Sequence, residues 1–523
     1  MATSVSARKS SPVVQQRTKL RHSASELSVL VREVGVERFA LVCVDPAKHR
    51  SRWRMADFLG KLLLAEATVE HTAGPLRAAV ASVRHKMQQH DIRVVWVIVE
   101  RTGQYHLPVQ RAFADAGFET RVLHPCATKQ YRGAVSPDVK TDDIDLAAQH
   151  LAAVAGFGLV ELPLDETYRQ LRLLARHRRD LVEKTSALCS QIREHLHLIM
   201  PGYAQCFEDL WLSTVALPMA RHTGTPQAVL DLGRARLARK LQHDGLRVQE
   251  RTVERVIAWA RQASPPAPDA ALQQRVWTAL DDDRLSKRRE IEALERDLAA
   301  ALVRTPYVLL MAFPGINVVS AAELAGEMGP IAHYGNANAI TGRAGLFPRR
   351  YQSDTVDLAD GRLARRANRR LRAALMRIAD NLVANNHYFR SLSDVWRKQK
   401  TDERVIRVRV AKKFTRLAYV VLAAQQVLRH DCCQPGDCIL LKLSEFHRLH
   451  LTGPKQLLID LQAVVDQLPK KAYTHEAQSL SKKLDVATSH RRIPMLLGEL
   501  LPAVLARLTA KTTGEPSEAQ ASN

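Results

Sequence analysis

Two continuous apolar runs near the start of the chain constrain its fold more than any other feature. The first runs from Leu41 to Val44 and ends at Asp45 and Pro46; the second, in the segment IRVVWVIVE, ends at Glu100. Such runs are typical of strands that are buried on both faces of a sheet, because a half-exposed strand alternates apolar with polar residues. The sequence therefore predicts an α/β layer in which two strands each end on a carboxylate.

A third acidic element follows in the segment KTDDIDLAAQHLAAVAG, which has the composition of a helix start. Residues three apart share one face of a helix, so Asp142 and Asp145 are predicted to point at one spot while Asp143 points elsewhere. With Asp45 and Glu100 they make a quartet of acids. Like charges about 4 Å apart repel by roughly 4 kcal/mol near a protein surface, so a divalent cation is the natural partner of such a quartet.

Each acid also has a simpler interpretation. An acid after a strand is often only a loop residue, and Thr141 with Asp142 and Asp143 suits a helix N-terminus, where a capping oxygen and negative charge are both favourable. Taken singly, these interpretations are the better ones. Acids at all three positions, in the order strand, strand, helix, favour a metal site.

The acids belong to a longer pattern. This first block consists of Asp45-x-x-Lys48, Glu100-x-Thr102-Gly103-x-Tyr105, His124-Pro125 with Lys129 and Arg132, and Lys140-Thr141-Asp142-x-x-Asp145. It resembles the insertion sequence 110 family of transposases. The chain departs from the family at His124, where Asn usually precedes the proline.

A second block far downstream resembles the separate serine-bearing domain of the same family. It consists of Phe313-Pro314-Gly315-Ile316, Gly345-Leu346-x-Pro348, Gln352-Ser353 and Asn368-Arg369-Arg370-Leu371-Arg372. The chain has Asp354 and Ala367 where the family usually places glycine. The two blocks and the helical span between them cover roughly residues 38 to 420.

The resemblance implies a fold and a chemistry. The implied fold is an α/β ribonuclease-H-like (Holliday-junction-resolvase-like) domain, a long helical coiled-coil insertion that dimerises, and a mainly α serine-bearing domain. Ser353 would be the nucleophile that joins DNA covalently, and Mg²⁺ or Mn²⁺ would be bound by Asp45, Glu100, Asp142 and Asp145. The implied partners are donor and target DNA, a bridge-type non-coding RNA, and further copies of the chain, as a dimer and as a tetramer in the synapse.

Charge agrees with a polyanionic partner. The 523-residue chain has a formal net charge of +23, which suits nucleic acid or a membrane surface, and no apolar run is long enough to span a membrane. Between Thr341 and Arg416 there are 20 Lys or Arg and 7 Asp or Glu, an excess that exceeds half the net charge of the chain. The residues predicted to contact nucleic acid are Lys48, Lys129, Arg132, Lys140, Arg349, Arg350, Arg365, Arg366, Arg369, Arg370 and Arg372.

Two segments of the downstream block have helical signals. In RLARRANRRLRAALMRIADNLV, apolar residues from Leu363 to Leu382 keep helical spacing, which predicts an Arg-rich helix that includes residues 365 to 372 and binds phosphates. The preceding PGINVVSAAELAGEMG resembles a helix-hairpin-helix, whose backbone N–H groups can hold phosphates, although Asn317 replaces a common glycine.

Changes in composition divide the chain into five predicted segments. Residues 1–37 form a basic disordered arm, 38–158 the acid-bearing α/β domain, 159–302 long amphipathic helices, 303–420 the serine-bearing domain, and 421–523 a C-terminal extension with a disordered end. The amphipathic helices fit either a dimerising coiled coil or an internal helical hairpin; the family resemblance favours the coiled coil.

The cysteines and the alternatives for function complete the expectations. Seven scattered cysteines argue for ordinary thiols in a reducing cytoplasm. The family resemblance implies a bacterial, nucleoid-associated protein. Three functions fit: an RNA-guided DNA recombinase, a metal-dependent endonuclease of the Holliday-junction type, and a non-catalytic nucleic-acid-binding scaffold. The complete acid quartet argues against the scaffold, and Ser353 with its basic neighbours argues against the nuclease.

Overall fold

The computed structural model describes residues 24–160, 164–348, 351–353, 356–358, 362–365 and 367–468. The chain divides into two compact units. The first comprises Met1–Tyr168 and Glu327–Gln425, and the second comprises Arg169–Gly326 and Gln426–Asn523. The segment boundaries expected from composition remain predictions.

A five-stranded mixed sheet organises the N-terminal part of the first unit. Its strands are β1 (Phe39–Pro46), β2 (Arg50–Asp57), β3 (Leu62–Glu70), β4 (Val94–Glu100) and β5 (Glu119–Leu123). Their order is β3-β2-β1-β4-β5; β1, β2 and β3 pair antiparallel, whereas β1, β4 and β5 run parallel. The two apolar runs form strands with neighbours on both sides, as their uninterrupted apolar sequences predict.

Helices cover both faces of this sheet. They are α1 (Ala24–Val34), α2 (Ala73–Gln89), α3 (Leu107–Asp115), α4 (Pro125–Val135) and α5 (Asp142–Val154). Val42 and Val44 of β1 pack into one core with residues of α2 and α3. Leu41 and Cys43 pack into a second core with residues of α1, α4 and α5. Because side chains alternate along a strand, Asp45 lies on the face of Leu41 and Cys43.

Helix α1 corrects the expectation of a disordered arm over residues 1–37. Leu27 and Val31, one helical turn apart, are buried in the same core as Phe39, so this segment gains enough apolar burial to fold. Residues 1–23 of the predicted arm lie outside the described residues.

Two long helices, with a helical insertion between them, follow the sheet. The five helices here are α6 (Glu166–Ile199), α7 (Ala216–Thr223), α8 (Pro226–His243), α9 (Glu250–Gln262) and α10 (Ala270–Leu302). In α6 and α10, His177 pairs with Glu290 at 2.9 Å and His195 with Gln273 at 2.6 Å, so the helices run antiparallel within one chain. That arrangement is what the internal hairpin requires, and dimerisation through a coiled coil stays a prediction.

The downstream block is mainly helical, as predicted. It contains α11 (Val318–Met328), α12 (Ala337–Ala344), the strands β6 (Tyr351–Ser353) and β7 (Val356–Leu358), α13 (Arg369–Asn385), α14 (His387–Lys398) and α15 (Glu403–Ala424). Helix α13 packs against α14 and α15, and β6 pairs antiparallel with β7.

The C-terminal extension contains two helices in its described part, and its predicted disordered end lies outside the described residues. Its helices are α16 (Asp437–Leu449) and α17 (Pro454–Gln467). Lys442 of α16 donates hydrogen bonds from Nζ to the carbonyl oxygens of Met311 at 2.6 Å and Phe313 at 3.1 Å, which ties the extension to the Phe313-Pro314 motif. All seven cysteines are free thiols. Across the described ranges, no helix combines the length and apolar character needed to span a membrane.

Candidate active site

The parallel pairing of β1 with β4 places two acids side by side. Val44 of β1 is in register with Val99 of β4, and the next residue on each strand is Asp45 and Glu100. Both carboxylates lie on the sheet face covered by α4 and α5 and are partly buried. The predicted adjacency of the two strand-end acids is therefore present in the fold.

The other two acids come from the first turn of α5. Thr141 caps this helix, its side chain accepting a hydrogen bond from the backbone N–H of Ile144 at 3.3 Å. Asp145 is buried with 6% of its surface exposed, whereas Asp142 and Asp143 are exposed. The helix-capping interpretation is therefore confirmed, and the cap fixes the turn that carries the acids. Metal binding by Asp142 and Asp145 stays a prediction.

Electrostatics show which acids converge. The pKa of Asp45 is raised to about 6, first by burial and then by the neighbouring carboxylates of Glu100, Asp145 and Asp142; Lys140 opposes the shift. Asp143 is not among these neighbours and instead pairs with Arg54 at 2.9 Å. The carboxylates of Glu100, Asp145 and Asp142 thus lie near enough to Asp45 to raise its pKa, whereas Asp143 pairs with Arg54.

Two buried side chains hold Glu100. Its Oε2 accepts a hydrogen bond from Thr128 Oγ1 of α4 and a second, at 3.3 Å, from Gln149 Nε2 of α5. Burial raises the pKa of Glu100, and these two hydrogen bonds oppose the shift. Neither donor was among the residues expected at the site.

Arginines neutralise part of the remaining charge. Arg132 Nε donates to Asp145 Oδ1, and Arg52, directly across from Asp45 on β2, lies with Nε 3.4 Å from Asp142 Oδ2. Arg52 also contacts Glu66 at 2.5 Å. Sequence reasoning missed Arg52, since only the hairpin register of β1 and β2 reveals that it faces the acids.

The donor set suits a divalent cation, although the carboxylates are not yet in coordination geometry. Within the described ranges, no group of three or more His, Cys, Asp or Glu residues is arranged to hold a metal ion. Asp145 instead pairs with Arg132, and Asp142 pairs with Arg52. Converging carboxylates with excess negative charge are nevertheless the ligands that hard cations prefer, so the residues fit such an ion in charge and chemistry.

The basic residues expected around the acids differ in their surroundings. Lys48, Lys129 and Lys140 are exposed, whereas Arg132 is half-buried and paired with Asp145. His124, the departure from the family pattern, caps α4 by accepting a hydrogen bond at Nδ1 from the backbone N–H of Cys126 at 3.1 Å. It thereby supplies the capping acceptor that asparagine offers at such a position.

Ser353 lies at the end of a short strand. It is the last residue of β6, and it pairs with Val356 of β7. The structure describes its backbone position but not its side chain. Arg349, Arg350, Asp354 and Arg366 lie outside the described residues.

The Arg-rich helix begins later than predicted. Asn368 caps α13 by accepting hydrogen bonds from the backbone N–H groups of Arg370 and Leu371, both at 3.1 Å, so Arg369 is its first residue. Leu363, which kept helical spacing in the sequence, instead forms a β-bridge with Pro348. The prediction of a helix from Arg365 is therefore wrong for residues before 369.

The arginines of this segment fall into two groups. Arg365, Arg369 and Arg370 are exposed and available to phosphates. Arg372 is half-buried, and its guanidinium donates to the carbonyl oxygens of Ala344, at 2.8 Å, and Ala364. Nucleic-acid contact by Arg372 stays a prediction, and the structure adds a role in holding the end of α12.

The segment that resembles a helix-hairpin-helix has a capped helix start. Asn317 Oδ1 accepts from the Ser320 backbone N–H at 2.9 Å, and Ser320 Oγ accepts from the Asn317 backbone N–H at 3.0 Å. In this reciprocal cap, the backbone N–H groups of Asn317 and Ser320 already donate to side-chain oxygens. A phosphate at this helix start would need such N–H donors. Phosphate binding at this helix stays a prediction.

Replacing Asp45 with Asn should stabilise the protein in the presence of a chelator at neutral pH. Because the folded-state pKa of Asp45 is raised to about 6, its ionisation opposes folding above that pH. We expect the free energy of unfolding to rise by about 1–2 kcal/mol at pH 8, a range that allows for solvent screening of a partly exposed group.

The gain should be absent near pH 4, where Asp45 is protonated in the folded protein, and should develop as the pH rises through about 6. Denaturant unfolding of wild type and Asp45→Asn at pH 4 and pH 8 measures this difference in the free energy of unfolding. Asp143→Asn, which removes an acid outside the quartet, is the matched control and should give no such gain. An equal effect of Asp45→Asn at pH 4 and pH 8 would contradict the proposed charge cluster.

Comparisons with known proteins agree with the site. Residues 42–201, which contain all four acids, match the family model of the Asp-Glu-Asp-Asp transposase of insertion sequence 110, described as Transposase. Residues 307–394, which contain Ser353, match the model described as Transposase IS116/IS110/IS902 family. No curated protein matches the chain significantly. An Asp-Glu-Asp-Asp domain implies the use of divalent metal, and the two matches in this order identify the chain as a member of the IS110 family of transposases.

Proposed function

We propose that this transposase cuts and rejoins DNA through a Mg²⁺-dependent acid centre and a phosphoserine link at Ser353, guided by a bridge-type RNA. The observation that carries the proposal is the convergence of Asp45 with Glu100, Asp142 and Asp145 where β1, β4 and α5 meet. A cluster of acids at the ends of neighbouring parallel strands is the arrangement that a metal-dependent phosphoryl-transfer site needs.

The sheet topology supports a ribonuclease-H-like, resolvase-like domain. Three antiparallel strands, β3, β2 and β1, continue into the parallel strands β4 and β5, and helices pack on both faces. In this topology β1 and β4 are adjacent, and α5 packs against both strands. Two acids of its first turn, Asp142 and Asp145, act on the pKa of Asp45. All four acids come from elements that bury apolar residues in the core, which supports a preorganised site.

The acids would hold Mg²⁺, or Mn²⁺ with the same hard-oxygen chemistry. Bound there, the ion would supply polarisation of the scissile phosphate and a lower pKa for an attacking hydroxyl. To bind the ion, Asp142 would give up its contact with Arg52, and Asp145 would give up its contact with Arg132. Arg132 and Arg52 would then be close to the reacting phosphate and could neutralise its charge.

Neutralising any one of the four acids should abolish most strand exchange. Asp45→Asn, Glu100→Gln, Asp142→Asn and Asp145→Asn are each expected to lower the rate on the order of a hundredfold or more, because each removes a charged ligand. The matched control is Asp143→Asn, one residue from Asp142, which should stay within about threefold of wild type since Asp143 lies outside the cluster. Unchanged strand exchange in the four variants, or in the presence of a chelator, would contradict the site.

Ser353 would provide the covalent step. Its hydroxyl would lose a proton as the oxygen forms a bond to the scissile phosphorus and the bond from phosphorus to one strand breaks. The departing strand oxygen would take up one proton and leave as a hydroxyl, so the proton released by the serine is balanced. The phosphodiester energy is conserved in the phosphoserine link, so a strand hydroxyl can reverse the step and rejoin DNA. The support for Ser353 is its place in the Gln-Ser motif within the matched serine-domain segment.

A suicide DNA substrate should trap a covalent adduct at Ser353. Denaturing electrophoresis would detect the protein–DNA species, and peptide mass mapping would locate the link. Ser353→Ala should lose the adduct, while Ser320→Ala, a change at a helix-capping serine in the same matched segment, should keep it. Free cut ends without an adduct would favour the other function that the acid centre supports, a metal-dependent Holliday-junction-type endonuclease in which water is the nucleophile.

The basic residues fit nucleic-acid partners held through their backbones. Exposed Lys48, Lys129, Lys140, Arg369 and Arg370 are suited to phosphate contacts, which fix position but carry little sequence information. The sequence contains no zinc-finger spacing or basic zipper that would read bases. Base pairing by an RNA could supply the missing specificity, and a dimer or tetramer would bring donor and target DNA together.

RNA guidance is tested by reconstitution. Protein purified free of nucleic acid should recombine donor and target DNA efficiently only when the transcript of the flanking non-coding segment is added, because the protein contacts mainly backbone. Changing the loop sequences of that RNA should move the insertion site accordingly. Site-specific recombination at full rate without RNA would overturn the guided mechanism while leaving the acid centre and Ser353 in place.

A further inference from the structure

Glu100 is held from two directions by side chains that are more deeply buried than the carboxylate itself. Thr128 has 1% of its surface exposed and Gln149 has none, and they come from different helices, α4 and α5. Both hydrogen bonds end on the same oxygen, Glu100 Oε2. Two donors on one oxygen fix the rotation of the carboxylate, and no hydrogen bond to Oε1 occurs within the described residues.

Thr128 and Gln149 are polar residues at buried positions where apolar residues would be expected. The neighbours of Thr128 and Gln149 on the two helices, such as Ala127, Leu146 and Ala152, are apolar and pack in the core beneath the sheet. Burying a hydroxyl and an amide there opposes folding unless both are hydrogen-bonded. A valine at 128 and a methionine at 149 would satisfy packing alone, so packing does not account for these residues.

Gln149 carries a further indication. Its Nε2 donates to Glu100, and its Oε1 is buried with no hydrogen-bond partner within the described residues. Rotating the amide would place Oε1 against the carboxylate, acceptor against acceptor, so Glu100 fixes its orientation. Burying an acceptor without a donor opposes folding. A hydrated cation held by the acids would bring such a donor in its hydration shell.

We propose that Thr128 and Gln149 are positioning residues of the metal centre. They orient Glu100 through Oε2 so that Oε1 is available to the cation, and Gln149 Oε1 accepts a hydrogen bond from the hydration shell of that cation. This inference rests on the proposed function, because it requires that the acid quartet binds a divalent ion. Removing a residue that hydrogen-bonds to a metal ligand commonly weakens metal binding by roughly 10–100-fold. We expect an effect of that size here.

The test measures affinity for Mn²⁺, independently of strand exchange. Full-length protein is stripped of metal and titrated with Mn²⁺, and free Mn²⁺ is followed by electron paramagnetic resonance. Thr128→Val and Gln149→Met, which nearly preserve side-chain volume, should each weaken binding about 10–100-fold. Thr128→Ser restores a hydroxyl at the same place and should return binding to within about threefold of wild type.

Gln110 offers a matched control for Gln149. It lies on α3 and, like Gln149, has a buried Oε1 without a hydrogen-bond partner among the described residues. Its neighbours Val109 and Phe113 pack in the core on the opposite face of the sheet, away from the acids. Gln110→Met should therefore leave Mn²⁺ affinity unchanged, whatever it does to the free energy of unfolding.

The outcomes separate this inference from the proposed function. If wild type binds Mn²⁺ and Glu100→Gln does not, but Thr128→Val and Gln149→Met bind as wild type does, the positioning role is overturned and the metal centre stands. A lower free energy of unfolding with unchanged affinity would also overturn it, because packing residues behave in that way. If wild type itself binds no Mn²⁺, the proposed metal centre fails, and this inference fails with it.

Discussion

The parallel pairing of β1 with β4 is the constraint on which the site depends. Once Val44 is in register with Val99, Asp45 and Glu100 must lie side by side on the same face, because side chains alternate along both strands. A slip of one residue between the two strands would turn one of the acids to the opposite face and separate the pair. The pairing that buries the core strands therefore also places the carboxylates of Asp45 and Glu100 close enough to repel each other.

Side chains of α4 and α5 hydrogen-bond to two of the acids and so reduce the repulsion among them. Thr128 and Arg132, one turn apart on α4, contact Glu100 and Asp145 respectively. On α5, Gln149 lies one turn after Asp145 and contacts Glu100. The site consequently has two kinds of partner. Hydrogen bonds orient Glu100 without cancelling its charge, whereas the arginine supplies charge that a cation could replace.

The local parts of this arrangement could be predicted from sequence, and the tertiary parts could not. Strand ends at Asp45 and Glu100 and the helix start at Asp142 follow from apolar runs and capping chemistry, and all three were confirmed. Thr128 and Gln149 gave no sequence signal, because their roles exist only when two helices pack against one carboxylate. The Arg-rich helix was placed too early because helical spacing at Leu363 was weighed above the capping preference of Asn368.

The acid quartet also sets an order of events in a chain whose net charge is +23. Under the proposed function, exposed lysines such as Lys48 and Lys129 would attract the phosphate backbone, whereas the acids around Asp45 would repel a phosphate that comes close. A single pair of like charges at about 4 Å already costs roughly 4 kcal/mol near a protein surface. Neighbouring phosphates can therefore bind the basic residues while the scissile phosphate stays away from an unneutralised centre. Under the proposed function, binding of nucleic acid and commitment to cutting are separate events, and the cation must be in place before the second.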